Sequence, residues 1–232
     1  QAYLYHRAHE LEQPREAWDF VASVREKVED PEIRFQLGMA LAEYDEEAGR
    51  DVDLEAVVAE LTAERELRFT ERADVVEAAV ERDRWTLAAE QAEAGLAQAT
   101  PEAYLADYPD RDFTEDVAEE RARNRKAMML APLGWAQYKL GRIEEAMGTF
   151  READAFTETS YAGVPTTPLR VYWGRAELEQ GNPERAMELL AVDAIFGGRD
   201  DALDALREAH AAVLPDGTAF EERVVGTASV EV

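Results

Sequence analysis

The chain repeats itself at a spacing of 40 residues, and no other feature limits its fold so strongly. Aligned without a gap, Ala131–Phe156 and Val171–Phe196 pair Gly134 with Gly174, Ala136 with Ala176 and Gly141 with Gly181. They also pair Glu144 with Glu184, Ala146 with Ala186, Met147 with Met187 and Phe156 with Phe196. Small residues that recur in this way suit two helices at close approach, and the recurring glycine suits the turn between them. An eroded third copy lies at the amino end. There Leu11-Glu12-Gln13-Pro14-Arg15-Glu16-Ala17 matches Leu178-Glu179-Gln180 followed by Pro183-Glu184-Arg185-Ala186, with the turn glycine deleted.

The punctuation elsewhere is also helical. Asp30-Pro31-Glu32, Thr100-Pro101-Glu102 and Asn182-Pro183-Glu184 each set an acceptor at N-cap, proline at the first helical position and an anion at the positive end of the dipole. Leu54, Val57, Val58 and Leu61 form an apolar stripe, and Val76, Val80 and Leu87 suggest others. Period-2 alternation is nearly absent until Phe220–Val232, valine-rich and downstream of Leu214-Pro215-Asp216-Gly217, which reads as an extended tail. The expected fold is all-α. Its expected organisation is residues 1–126 as a helical region with degenerate repeats, 127–214 as the clear repeats plus a final helix, and 215–232 as a tail or linker.

The best unit, Leu133 to Ala153, resembles a tetratricopeptide repeat. Its Leu133-Gly134 pair, turn Gly141, Ala146 with Phe150, and Ala153 occupy slots that this family fills with the same residue types. The second unit, with Trp173-Gly174, Gly181, Ala186 and Leu190, is similar to a weaker member. Two departures stand out. The family period is about 34 residues, so an insertion is placed at Thr157–Thr167, and Glu158 and Gly198 stand where a closing proline is common. The resemblance covers about one third of the chain. It implies antiparallel hairpins stacked as a right-handed solenoid, whose first helices line a concave surface that holds an extended protein segment. Carried onto this chain, that surface takes Leu4 and Ala8, then Trp135, Tyr138 and Lys139, then Val171, Arg175 and Leu178. Packing between hairpins accounts for Val171 and Leu178. Aromatic and arginine enrichment at binding hot spots makes Trp135, Tyr138, Lys139 and Arg175 the candidate partner-binding residues.

Charge narrows the function classes. In 232 residues, 51 acids face 25 bases, a formal charge of -26. Such a chain has no global field for nucleic acid or for an anionic membrane surface. The longest apolar stretch, Ala127–Ala136, is far short of the roughly 20 residues of a spanning helix. Zero cysteines exclude disulfides and thiol chemistry within the chain. Lysine occurs only at Lys27, Lys126 and Lys139, and acids spread along the whole length read as a solubility feature, consistent with a high-salt organism. The one basic run, Arg121 to Lys126, follows Asp116–Glu120 on a helix expected to start near Thr114, so it suits the dipole, with Glu119 and Arg123 spaced to pair; the alternative reading is a small basic docking patch on an otherwise acidic chain.

Catalytic constellations are not legible. A helix would bring His6 and His9 to one face, but further ligands are lacking, with His210 the only other histidine. Ser23, Ser160 and Ser229 lie in no nucleophile motif, and no phosphate-cradling or dinucleotide-binding glycine loop occurs. No metal, cofactor or catalytic residue is expected. The expected function is a non-catalytic protein-interaction module with a protein or peptide partner. The alternative is the helical region of a longer extracytoplasmic thioredoxin-like protein, with Val224-Val225 and Val230-Glu231-Val232 leading into a domain beyond Val232. The opening on Gln1 reads as a processed product or a piece of a longer chain. The compartment is not legible.

Overall fold

The computed structural model describes residues 14–156, 168–196 and 200–214. Twelve α-helices, and no strand, occur among the described residues. The amino-terminal copy with Leu4 and Ala8, the His6/His9 pair, the insertion at 157–167 and the tail at 215–232 lie outside them. The chain divides between Gln91 and Ala92 into two compact units, and the boundary falls in α6 (Trp85–Ala97).

The amino-terminal unit is built on α2 (Pro31–Glu43), which packs against α1 (Pro14–Arg25), α4 (Leu54–Thr62) and α5 (Phe69–Glu81). Asp30 caps α2 as the Asp-Pro-Glu signal requires, its carboxylate accepting from the Glu32 and Ile33 amides. Asp53 caps α4 by accepting from the Ala56 amide. The stripe read from α4 is the core face: Leu54, Val57, Val58 and Leu61 are all buried. Gly38 is what lets α2 and α4 meet, because a methyl there would sit 2.8 Å from both γ-carbons of Val57. The one-turn α3 (Asp45–Ala48) ends on Gly49 in the left-handed region, φ 62°. Asp45, 5% exposed, is neutralised by Arg82 through contacts of 3.1 Å to each carboxylate oxygen.

The carboxy-terminal unit contains α7 (Pro101–Asp107), α8 (Glu115–Lys139), α9 (Ile143–Phe156), α10 (Leu169–Glu179), α11 (Pro183–Phe196) and α12 (Asp200–Val213). Residue 126, where the sequence reading placed an organisational division, lies inside the 25-residue α8. Helices α8 and α9 form one hairpin and α10 and α11 another. Helix α10 also packs on both α8 and α9, and α12 packs on α11 and α10. Val171, Met187, Leu190, Leu206 and the small Ala186 and Ala209 share one apolar core at that end.

The two hairpins turn identically. Gly141 and Gly181 adopt φ of 80° and 82°, and the next residue's amide reaches back five positions, Arg142 to the Gln137 carbonyl and Asn182 to the Glu177 carbonyl, each at 2.9 Å. This is the closure expected of a left-handed cap. They also pack identically. A methyl on Gly134 would lie 2.6 Å from Cδ1 and Cε1 of Phe150, and one on Gly174 would lie 2.6 Å from Cγ of Leu190. In both, glycine sits sixteen residues before the large residue it admits. The same turn recurs where no glycine marks it: Asp83 has φ 56°, and the Arg84 amide reaches the Ala79 carbonyl at 2.8 Å.

Candidate interaction surfaces

Three of the four candidate residues come together at the end of α8. Residues 135, 138 and 139 fall on one face of a helix, and the Trp135 and Tyr138 rings stack at 5.6 Å with planes 7° apart. Tyr172, carried in by α10, also stacks on Trp135, at 5.7 Å and 6°. Lys139 closes the stack, its Nζ 4.3 Å from the Trp135 centroid and 2.6 Å from Oε1 of Glu179. Burial first, then the Glu179 charge, pushes the Tyr138 hydroxyl above its ordinary value. Trp135 is 5% exposed and Tyr138 9%, so these rings join the two hairpins and offer little area outward. Lys139 keeps a quarter of its side chain in solvent, 26%.

Arg175 stands apart from this group. Its Nη2 donates to the Asp201 carbonyl at 3.2 Å in the first turn of α12, and its side chain is half-buried. Trp173, on the same helix, packs on Phe150 at 6.1 Å and donates from Nε1 to Glu177 at 3.0 Å.

The basic run on α8 is divided in its roles. Arg125 is 5% exposed: Nη2 meets Asp107 at 2.6 Å, Nη1 approaches the Gln98 carbonyl at 3.4 Å, and the guanidinium lies 4.8 Å from the Tyr104 ring centroid. Tyr104, Tyr108 and Phe113 cluster with centroids 5.1 to 6.1 Å apart, fixing the segment that carries Asp107. The spacing-based Glu119–Arg123 pair is not among the ion pairs of the described residues. Arg125 instead finds its carboxylate eighteen positions earlier.

In the amino-terminal unit a groove of about 700 Å³ lies between α2 and α5. Its apolar wall comes from α2, with Ile33, Leu37, Met39 and Ala40, and Ile33 is 47% exposed. Its polar wall comes from α5. Asp74, Glu77 and Glu81 project into it at helical spacing, all exposed, and Glu43 faces them from the end of α2. Two arginines also line the groove, and both are engaged: Arg82 by Asp45, Arg68 by Glu32 and Glu71.

At the head of the groove Glu71 is the centre of an ion network. It accepts from Arg65 at 2.6 and 2.9 Å and from the Arg68 amide at 2.8 Å, with the Arg68 guanidinium at 2.7 Å. Burial alone would raise its pKa, but these bonds outweigh it and hold the carboxyl at about 2. The same bonds raise Arg65 and Arg68. One turn along, burial and the Glu71 charge push Asp74 upward, and Asp74 and Glu77 have no ion-pair partner among the described residues. In the sequence these acids read only as part of the solubility feature spread along the whole chain.

Among the described residues no group of three His, Asp or Glu side chains is placed to hold a metal ion, and no helix is long and apolar enough to cross a membrane. Set beside known proteins, the chain matches no family model, no curated protein and no solved structure.

Proposed function

We propose that the chain is a non-catalytic protein-interaction module, a tetratricopeptide-like array of stacked helical hairpins that holds an extended segment of a protein partner against helix faces left open by the stacking. The observation that carries this reading is the repeated hairpin, with Gly134 against Phe150, Gly174 against Leu190, and left-handed Gly141 and Gly181 at equivalent turns. A unit that reproduces both its closest contact and its turn is one supersecondary piece used twice, which is the building rule of helical arrays. The packing of α10 on both helices of the preceding hairpin, and of α12 across α10 and α11, supports stacking with a closing helix. In the carboxy-terminal unit Lys139 and Arg175 are the residues proposed to meet the partner, with Trp135 and Tyr138 fixing the position of Lys139.

The test is selection from a displayed library of random peptides against the folded full chain. Enrichment of a shared motif, with binding weakened by Lys139→Glu or by substitutions in the α2–α5 groove, is the expected result. A folded chain that enriches no motif in repeated selections removes this reading.

A further inference from the structure

The geometry points to the α2–α5 groove as a docking site for an extended lysine- or arginine-rich segment of a partner protein, an inference that rests on the interaction-module reading and gives the partner a chemistry. The groove pairs an apolar wall with a row of carboxylates, the arrangement that seats the aliphatic stems of basic side chains while their charged heads reach anions. Five carboxylates line it against two guanidiniums, and Asp45, Glu32 and Glu71 already neutralise those two. Among the described residues Asp74 and Glu77 are therefore left facing the groove without a cation partner, while Glu81 meets Arg82 at 3.4 Å. Burial first, then the Glu71 charge, disfavours the ionised Asp74, and an incoming cation would offset both.

Spacing suits an extended ligand. Along α5, Asp74 and Glu81 are about 10 Å apart at 1.5 Å per residue, with Glu77 between them. An extended peptide advances about 6.6 Å every second residue and about 10 Å every third. Alternate positions share one face of the peptide, and their advance of about 6.6 Å is close to the rise of about 6 Å between Glu77 and Glu81, so basic side chains at alternate positions reach neighbouring carboxylates of this row.

Charge also separates the possible occupants. A second copy of the chain would bring another formal charge of -26. Residues 215–232 carry four acids and one arginine, residues 1–13 two acids and one arginine, and residues 157–167 a single acid. None of these segments is basic, so complementarity selects a segment from another protein.

The experiment is fluorescence anisotropy of a labelled nonapeptide alternating lysine and serine, titrated with the full chain. A glutamate–serine peptide serves as its counterpart. Binding of the basic peptide is expected, weakening as salt rises from about 50 to about 300 mM, with no binding of the acidic one. Asp74→Asn/Glu77→Gln is expected to weaken binding at least tenfold with the helical circular dichroism unchanged. Glu55→Gln/Glu64→Gln, the same change in net charge at exposed positions outside the groove, is expected to leave affinity within twofold. Absence of binding by the basic peptide, or equal weakening by the two double variants, overturns the inference. If library selection returns an apolar or acidic motif, this assignment fails while the module reading stands; if it returns none, both fail.

Discussion

Gly134→Ala adds one methyl group to the middle of a buried helix, and the structure fixes the sign of its effect. The new carbon would lie 2.6 Å from two ring carbons of Phe150, about 1 Å inside the roughly 3.5 Å at which carbon atoms rest. The ring has nowhere to go. Phe150 is 0% exposed and stacks on Trp173, whose indole N–H is itself held by Glu177. Overpacking costs about 1–3 kcal/mol, and an overlap of about 1 Å with two atoms of a fully buried ring belongs in the upper half of that range, about 2–3 kcal/mol, offset by about 1 kcal/mol of improved helix propensity. The net destabilisation is about 1–2 kcal/mol, a fall in Tm of roughly 3–6 °C for a chain of this size. Gly148→Ala is the matched control, since a methyl at that exposed helical position meets nothing within 4 Å. It should stabilise by about 0.5–1 kcal/mol. Urea and thermal unfolding followed by circular dichroism at the helix band reads both, and Gly134→Ala/Phe150→Leu completes a cycle with an expected favourable coupling of at least about 0.5 kcal/mol. If Gly134→Ala matches or exceeds wild-type stability, or if the cycle shows no coupling, the glycine is not there to admit the ring and the repeated contact loses its meaning.

Three further outcomes are expected. Glu71 titrates at about 2 in the fold against 4.5 for the free side chain, so its contribution is complete above pH 4.5 and disappears as pH falls toward 2. Screening through the partly exposed Arg65 and Arg68 brings it to about 1–3 kcal/mol, and Glu71→Gln should lose that amount at pH 7 and flatten the acid limb of stability against pH; an unchanged limb would contradict the network's role. Arg82→Gln leaves Asp45 buried beside a neutral partner and should cost about 3 kcal/mol or more, with Asp45→Leu/Arg82→Met recovering most of it in urea melts; a cost under about 0.5 kcal/mol would show that the carboxylate finds water. With a formal charge of -26, added potassium chloride should raise the urea midpoint by screening self-repulsion, and a midpoint that falls steadily with salt would show that ion pairs outweigh that repulsion.

The helices and their starts were legible because their signals are local. Asp30 and Thr100 each cap the helix that begins one residue later, and Gly141 and Gly181 are the residues that pass most easily through the left-handed region at a turn. The turn at Asp83 was hidden for the converse reason: aspartate tolerates the same backbone conformation without advertising it. Aromatic positions were legible but their surroundings were not. Helical spacing groups Trp135 with Tyr138, but only the packing of α10 brings Tyr172, 37 positions away, against the indole. Arg125 illustrates the same limit, since local spacing offered a surface helix pair while the fold supplied Asp107 and the Tyr104 ring. The groove acids were obscured by abundance: among 51 carboxylates, nothing local distinguishes Asp74 and Glu77 until α2 is set opposite them.

The burial of Arg125 also decides where the chain can be cut. A truncation that starts after Asp107 would strand a guanidinium in the interior of α8, without its carboxylate, its aromatic cover or the Gln98 carbonyl, and a buried charge deprived of its partner is strongly destabilising. A carboxy-terminal piece that folds by itself therefore has to begin at or before Gln98. In limited proteolysis of the intact chain, the connection from Gln98 to Thr114 should gain its protection together with α8, as one cooperative event.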